Sequence, residues 1–143
     1  MDQALAFYYG PLGMKLFVES VLDVVELNRA NNLPDDAKTR SVLVQGSHEY
    51  GKIALAEPMN YEIPDLVPAS VAPNIGYLAQ SFQVNDLATA LAGCAETGAA
   101  VFSGPAEVEL PGRGHCAAAI VRNPGSGALQ ELFQPLQAPR SPA

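Results

Sequence analysis

Eight Lys and Arg against fifteen Asp and Glu in 143 residues give a formal charge of −7, and 48% of the residues are hydrophobic. With a mean hydropathy of +0.09, this is the composition of one water-soluble globular domain. The acidic balance, with no Lys/Arg cluster or aromatic–basic stripe, argues against nucleic acid as a partner, because phosphate neutralisation supplies most such affinity. No apolar run approaches the ~18 residues of a membrane span, and no basic-then-apolar segment opens the chain. The two cysteines, Cys94 and Cys116, lack the spacing of a disulfide framework, so reduced thiols and a cytoplasmic location are expected.

In chain order, Leu5, Tyr8, Tyr9 and Leu12 recur at the spacing of one helix face, so residues 2–12 are predicted helical. Gly13 is suited to the left-handed position beyond a helix end, and a β-prone run, Met14–Val18, follows. Val21–Asp36 is ambiguous between strand and helical turn and receives no assignment. Ser41–Gly46 leads through a turn to Gly51–Pro58, which reads as a β-hairpin. Met59–Asn74, with Pro64, Pro68 and Pro73, is too broken for a helix or a central strand and reads as a connecting loop. The alternating run Gly76–Val84 then precedes a second helix over 86–98, with Asn85 or Asp86 as its N-cap and Gly98 at its end. Ala99–Ser103, Ala118–Asn123 and Gly127–Pro135 complete the second half as strands, and the proline-containing tail 136–143 is expected to be disordered.

The two halves are therefore internal repeats. The second, 76–135, reads as β-α-β-β-β. The first, 1–58, reads as α-β-β-β, with 59–75 as linker. Without a first strand, the first half has an exposed sheet edge, which proteins normally cover; a homodimer is expected on that ground. The alternative is a start placed too late, with about ten further residues carrying the strand.

Ala4–Met14, read as Leu-Ala-Phe-Tyr-Tyr-Gly-Pro-Leu-Gly-Met after Ala4, resembles the "LxFYxxxLGM" helix of the vicinal oxygen chelate superfamily. That superfamily includes glyoxalase I, methylmalonyl-CoA epimerase, extradiol dioxygenases and the bleomycin- and fosfomycin-resistance proteins. Phe82–Leu87, Val121–Gly125, Glu131-Leu-Phe133, and Gly104-Pro105 ahead of Pro111–Gly114 carry the same likeness over roughly residues 2–135. The resemblance implies an α+β fold of two βαβββ modules curved into a half-open cup, here with the first strand of the first module missing. It also implies one divalent metal, held by His or Gln of each first strand and Glu of each last strand. Glu131 fits one of these positions, whereas Ala54 and Ala79 stand at two others. Alanine has no donor atom, so no cofactor is expected, and a divalent metal is not the expected guest.

Among single residues, Glu131 shares a strand face with Leu129 and Phe133 and reads either as a general base, raised by apolar neighbours, or as a remnant bonded to backbone. Ser81 and Gln83 share a face with Ala79 and are expected to line the cup beside Glu131, although solvated surface explains them as well. His115 is a candidate base, its plainer reading being an exposed residue beside a Gly-rich turn. Cys116 reads as apolar filler rather than a nucleophile, since no third orienting residue is identifiable. His48 falls in a turn. Arg113 and Arg122 are the candidates to contact an anionic ligand, with surface ion pairing as the alternative. The function expected is a metal-free glyoxalase- or bleomycin-resistance-like protein that binds a small organic molecule. The alternative is a metal-dependent lyase, isomerase or dioxygenase of the same superfamily that uses Glu131.

Overall fold

The apolar runs Val42-Leu43-Val44 and Leu132-Phe133, with Leu129, call for sheet interiors, and the computed structural model, which describes residues 1–136, contains two sheets. The elements run α1 (Asp2–Tyr9), β1 (Lys15–Leu22), α2 (Val25–Ala30), β2 (Thr39–Gln45), β3 (Lys52–Pro58), a 3-10 turn at Val67–Ala69, β4 (Ala79–Gln83), α3 (Leu87–Glu96), β5 (Ala100–Leu110), β6 (Gly114–Arg122) and β7 (Leu129–Pro135). The chain is α+β and divides into two units, one of Met1 and residues 13–66, the other of residues 2–12 with those from 67 onward.

The first unit holds an antiparallel sheet of order β1-β2-β3. Val42 and Val44 on its central strand are fully buried, while β1 at one edge is exposed along nearly its whole length. The unassigned stretch 21–36 resolves into the end of β1 and the short helix α2, whose N-cap Val24 makes no side-chain cap bond. Burial of Asn28 holds that helix in place: its amide nitrogen donates to the carbonyls of Asp35 (3.1 Å) and Ala37 (2.9 Å).

The second unit holds a sheet of order β4-β7-β6-β5, with β4 parallel to β7 and the other pairs antiparallel. Asp86 caps α3, its carboxylate accepting from the Thr89 N–H at 2.6 Å, and that bond holds the Asp86 carboxyl below its usual range. Strand alternation puts Gln130, Leu132 and Gln134 on one face of β7 and Leu129, Glu131 and Phe133 on the other. The first is the helix face: the Tyr8 hydroxyl of α1 accepts from Gln130 Nε2 at 3.2 Å, and the Leu87 N–H of α3 donates to Gln134 Oε1 at 2.9 Å. Tyr8 also meets the ring of Phe82 edge-on, 6.5 Å between centroids.

Several sequence expectations change. The opening helix was grouped with the first repeat, yet α1 packs within the second unit, because periodicity shows which face of a helix is apolar and not which sheet will receive it. Residues 67–75, read as linker, belong to the second unit, where Val67 packs against Gly127. The strand predicted for 99–103 runs on to Leu110 through Gly104 and Pro105, which an edge strand with two register shifts accommodates. The tail expected to be disordered lies, from residue 137 onward, outside the described residues. Among the described residues no helix is long and apolar enough to cross a membrane.

Candidate functional site

The face of the second sheet opposite α1 and α3 collects most of the residues singled out in the sequence. In the parallel β4–β7 ladder Ser81 stands beside Glu131, Ala79 beside Leu129 and Gln83 beside Phe133. On β6, Ile120 pairs with Glu131, Ala118 with Phe133 and Arg122 with Leu129. The β4 neighbour of Glu131 is therefore Ser81, and Ala79, at which the family resemblance implies a ligand position, lies two residues away.

Glu131 Oε2 accepts two hydrogen bonds, one from Ser81 Oγ and one from Arg113 Nη1 at 3.2 Å. Arg113 comes from the tight β5–β6 turn, where Gly112 and Gly114 flank it with φ of 74° and 77°, values that favour glycine. Its own N–H donates to the Leu110 carbonyl at 3.0 Å. The guanidinium carbon lies 4.3 Å from the centroid of the Phe133 ring, so one side chain is held by a carboxylate and by an aromatic face. Phe133 is buried beneath it. Further along the face, Arg122 donates to the Gly127 carbonyl at 2.7 Å and lies 5.3 Å from the Phe102 ring.

His115 is placed elsewhere. Alternation along β6 puts it with Ala117 and Ala119, on the face away from Glu131, where its Nε2 is 3.1 Å from Glu107 and its Nδ1 is 3.9 Å from Glu109. The two candidate catalytic residues are thus not brought together. Cys116 does share the Glu131 face but is fully buried, its thiol directed at the Arg113 carbonyl, 3.7 Å away. Ala54 is in the first unit, on β3 opposite Leu43, which is the ladder position Glu131 holds opposite Ile120. His48 is exposed in the β2–β3 turn.

Burial raises Tyr8 to about 12, with the neighbouring Tyr77 adding to it, and raises the Cys94 thiol to about 11; both serve the core rather than this face. Sequence reasoning missed the Arg113–Glu131 pair, which is 18 residues apart and meets only once the β5–β6 turn and the β6–β7 register are set.

These residues do not fit a divalent metal. Ala54 and Ala79 offer no donor, Glu131 is engaged by a hydroxyl and a guanidinium cation, and among the described residues no three His, Cys, Asp or Glu side chains gather as a cation would require.

No family model matches the chain, and no curated protein matches it. Solved structures do. A glyoxalase family protein from Bacillus cereus is similar with a TM-score of 0.82 at 19% identity, over 96% of this chain and 87% of that one. Glyoxalase I from Zea mays, as its E144Q mutant, is similar with a TM-score of 0.59 at 15% identity, over 94% of this chain and 43% of that one. The chain has the fold of the glyoxalases of the vicinal oxygen chelate superfamily.

Proposed function

We propose that this protein binds a small organic molecule on the Glu131 face of its second sheet, without a divalent metal. The observation that supports this reading is the engagement of Glu131: the one family metal-ligand position that keeps a carboxylate spends it on Ser81 and Arg113. A cation entering there would have to displace a guanidinium and sit beside it, which like-charge repulsion opposes. The exposed Ser81 and Gln83, the two arginines and the exposed Phe102 ring offer instead the mixture of polar groups and apolar surface that small-molecule sites use. Binding of the bleomycin-resistance type fits this better than metal-dependent lyase, isomerase or dioxygenase chemistry.

A homodimer accompanies the proposal. Both β1 and β3 are edge strands of the first sheet, and β1 exposes Leu16, Phe17, Val18 and Val21. Two buried thiols with no disulfide suit a reducing, cytoplasmic setting.

Native mass spectrometry of the untagged protein tests the reading. The expected species is a dimer without metal that retains an organic adduct or accepts one from a small-molecule library. A stoichiometric divalent ion that survives desalting would overturn it and favour the metal-dependent alternative.

A further inference from the structure

The mismatch between the fold's metal position and this chain's donor set points to something more specific, resting on the reading that the Glu131 face binds a small molecule. We infer that the Arg113 guanidinium is the site's own cation and that it receives a ligand with two coplanar, negatively charged oxygens, a carboxylate on a flat apolar body.

The geometry comes first. Arg113 is tethered by Nη1 to Glu131 and lies over Phe133, with its backbone fixed in a turn between two positive-φ glycines. A guanidinium has five N–H donors in a rigid fork. Glu131 takes one, and neither Nε nor Nη2 has a protein acceptor among the described residues. The side chain is 41% exposed and that of Glu131 is 24% exposed, so the free edge of the fork is open to a ligand while the carboxylate behind it is half-covered. Two parallel N–H donors match the two oxygens of a carboxylate, a fit that a lysine ammonium cannot reproduce.

Charge points the same way. Arg113, Arg122 and Glu131 leave this face with one formal positive charge, in a chain whose total is −7. General composition therefore does not explain it, and its sign suits an anion. The apolar part of the ligand has the exposed ring of Phe102 and the side chain of Ile120 on the same face.

The test uses the whole protein, with benzoate as probe and benzamide as its uncharged counterpart. In 1H–15N spectra, benzoate is expected to shift the Arg113 Nε–H resonance with a Kd of about 1–10 mM, as one charge-assisted contact by a fragment allows, and about tenfold more tightly than benzamide. Arg113→Lys should weaken benzoate about tenfold, and Arg113→Gln should abolish the Arg-dependent preference for benzoate. Both variants alter an exposed turn residue, and an unchanged thermal midpoint will show that they fold. Equal binding of benzoate and benzamide on this face overturns the inference while leaving the binding reading intact. Benzoate without any effect at Arg113 overturns it too. Tight Mn2+ binding by the wild-type protein, read from paramagnetic broadening around Glu131, overturns both.

Discussion

Gln130 Nε2 donates to the Tyr8 hydroxyl at 3.2 Å, joining β7 to a helix 122 residues earlier in the chain. Both side chains are almost wholly buried, and Gln130 Oε1 finds no partner among the described residues. Gln130→Leu alone should cost about 1–3 kcal/mol, because it strands the Tyr8 hydroxyl. The double variant Tyr8→Phe/Gln130→Leu removes both polar groups and should recover most of that loss. Urea unfolding of the four proteins at neutral pH gives the cycle; a single variant as stable as the double would contradict it. The same pair sets an alkaline limit. Tyr8 titrates at about 12 in the fold against 10.0 ordinarily, so the folded state holds its proton more tightly. Its contribution is complete below pH 10 and is lost as pH rises through 12. Tyr8→Phe should flatten that part of the stability profile.

The turn between β6 and β7 is built against α1. Asn123, fully buried, accepts from the N–H groups of Gly125 (3.0 Å) and Ser126 (3.1 Å) and donates to the Ala4 carbonyl at 3.3 Å. A Cβ on Gly125 would fall 2.2 Å from the Ala4 nitrogen, a backbone atom that cannot step aside. Gly125→Ala is expected to cost about 3 kcal/mol through this overlap, and Asn123→Ala about 2–4 kcal/mol through three lost bonds. Gly112→Ala is the control: its φ is 74° with nothing near a Cβ, so about 1–2 kcal/mol of backbone strain is all it should show. Equal melting shifts for Gly125→Ala and Gly112→Ala would count against this account.

In the first unit the corresponding anchor is Asn28. Asn28→Ala should cost about 2 kcal/mol, since it leaves the buried carbonyl of Ala37 and the part-buried one of Asp35 without their donor. Its neighbour Arg29 makes two short bonds to Asp35, but both groups are largely exposed. Arg29→Ala is therefore expected to change stability far less than Asn28→Ala does. Chemical denaturation followed by circular dichroism orders the two, and a larger effect for Arg29 would reverse the argument.

Much of the fold was legible because the repeat restates its signals. Two helices each followed by a strand, two hairpins and a capped α3 are all present where periodicity and Asp86 put them. Three features resisted. The apolar face of α1 is compatible with either sheet, and only the fit of Ala4 against Gly125 and of Tyr8 against Phe82 decides between them. Helix α2 is a turn and a half without a side-chain cap, so its stability comes from Asn28 and tertiary packing rather than local propensity. At the site, the sequence placed Ser81 and Glu131 on faces that could meet but gave no means of seating Arg113 upon them. A one-residue change in strand register would have sent Glu131 to the helix face, so that pairing is a property of the assembled sheet.

The parallel pairing of β4 with β7 orders events in time as well as strands in space. The β5-β6-β7 meander closes through short turns, whereas Ser81 and Glu131 lie 50 positions apart in the sequence, with all of α3 between them. Loop-closure entropy disfavours the long connection until local structure has shortened it. The meander is therefore expected to form early and β4 to join it late. On that order Glu131 first lies on an open edge without its serine, and the site is complete only once β4 has docked; pulsed hydrogen exchange with earlier protection of β4 than of β6 would contradict it.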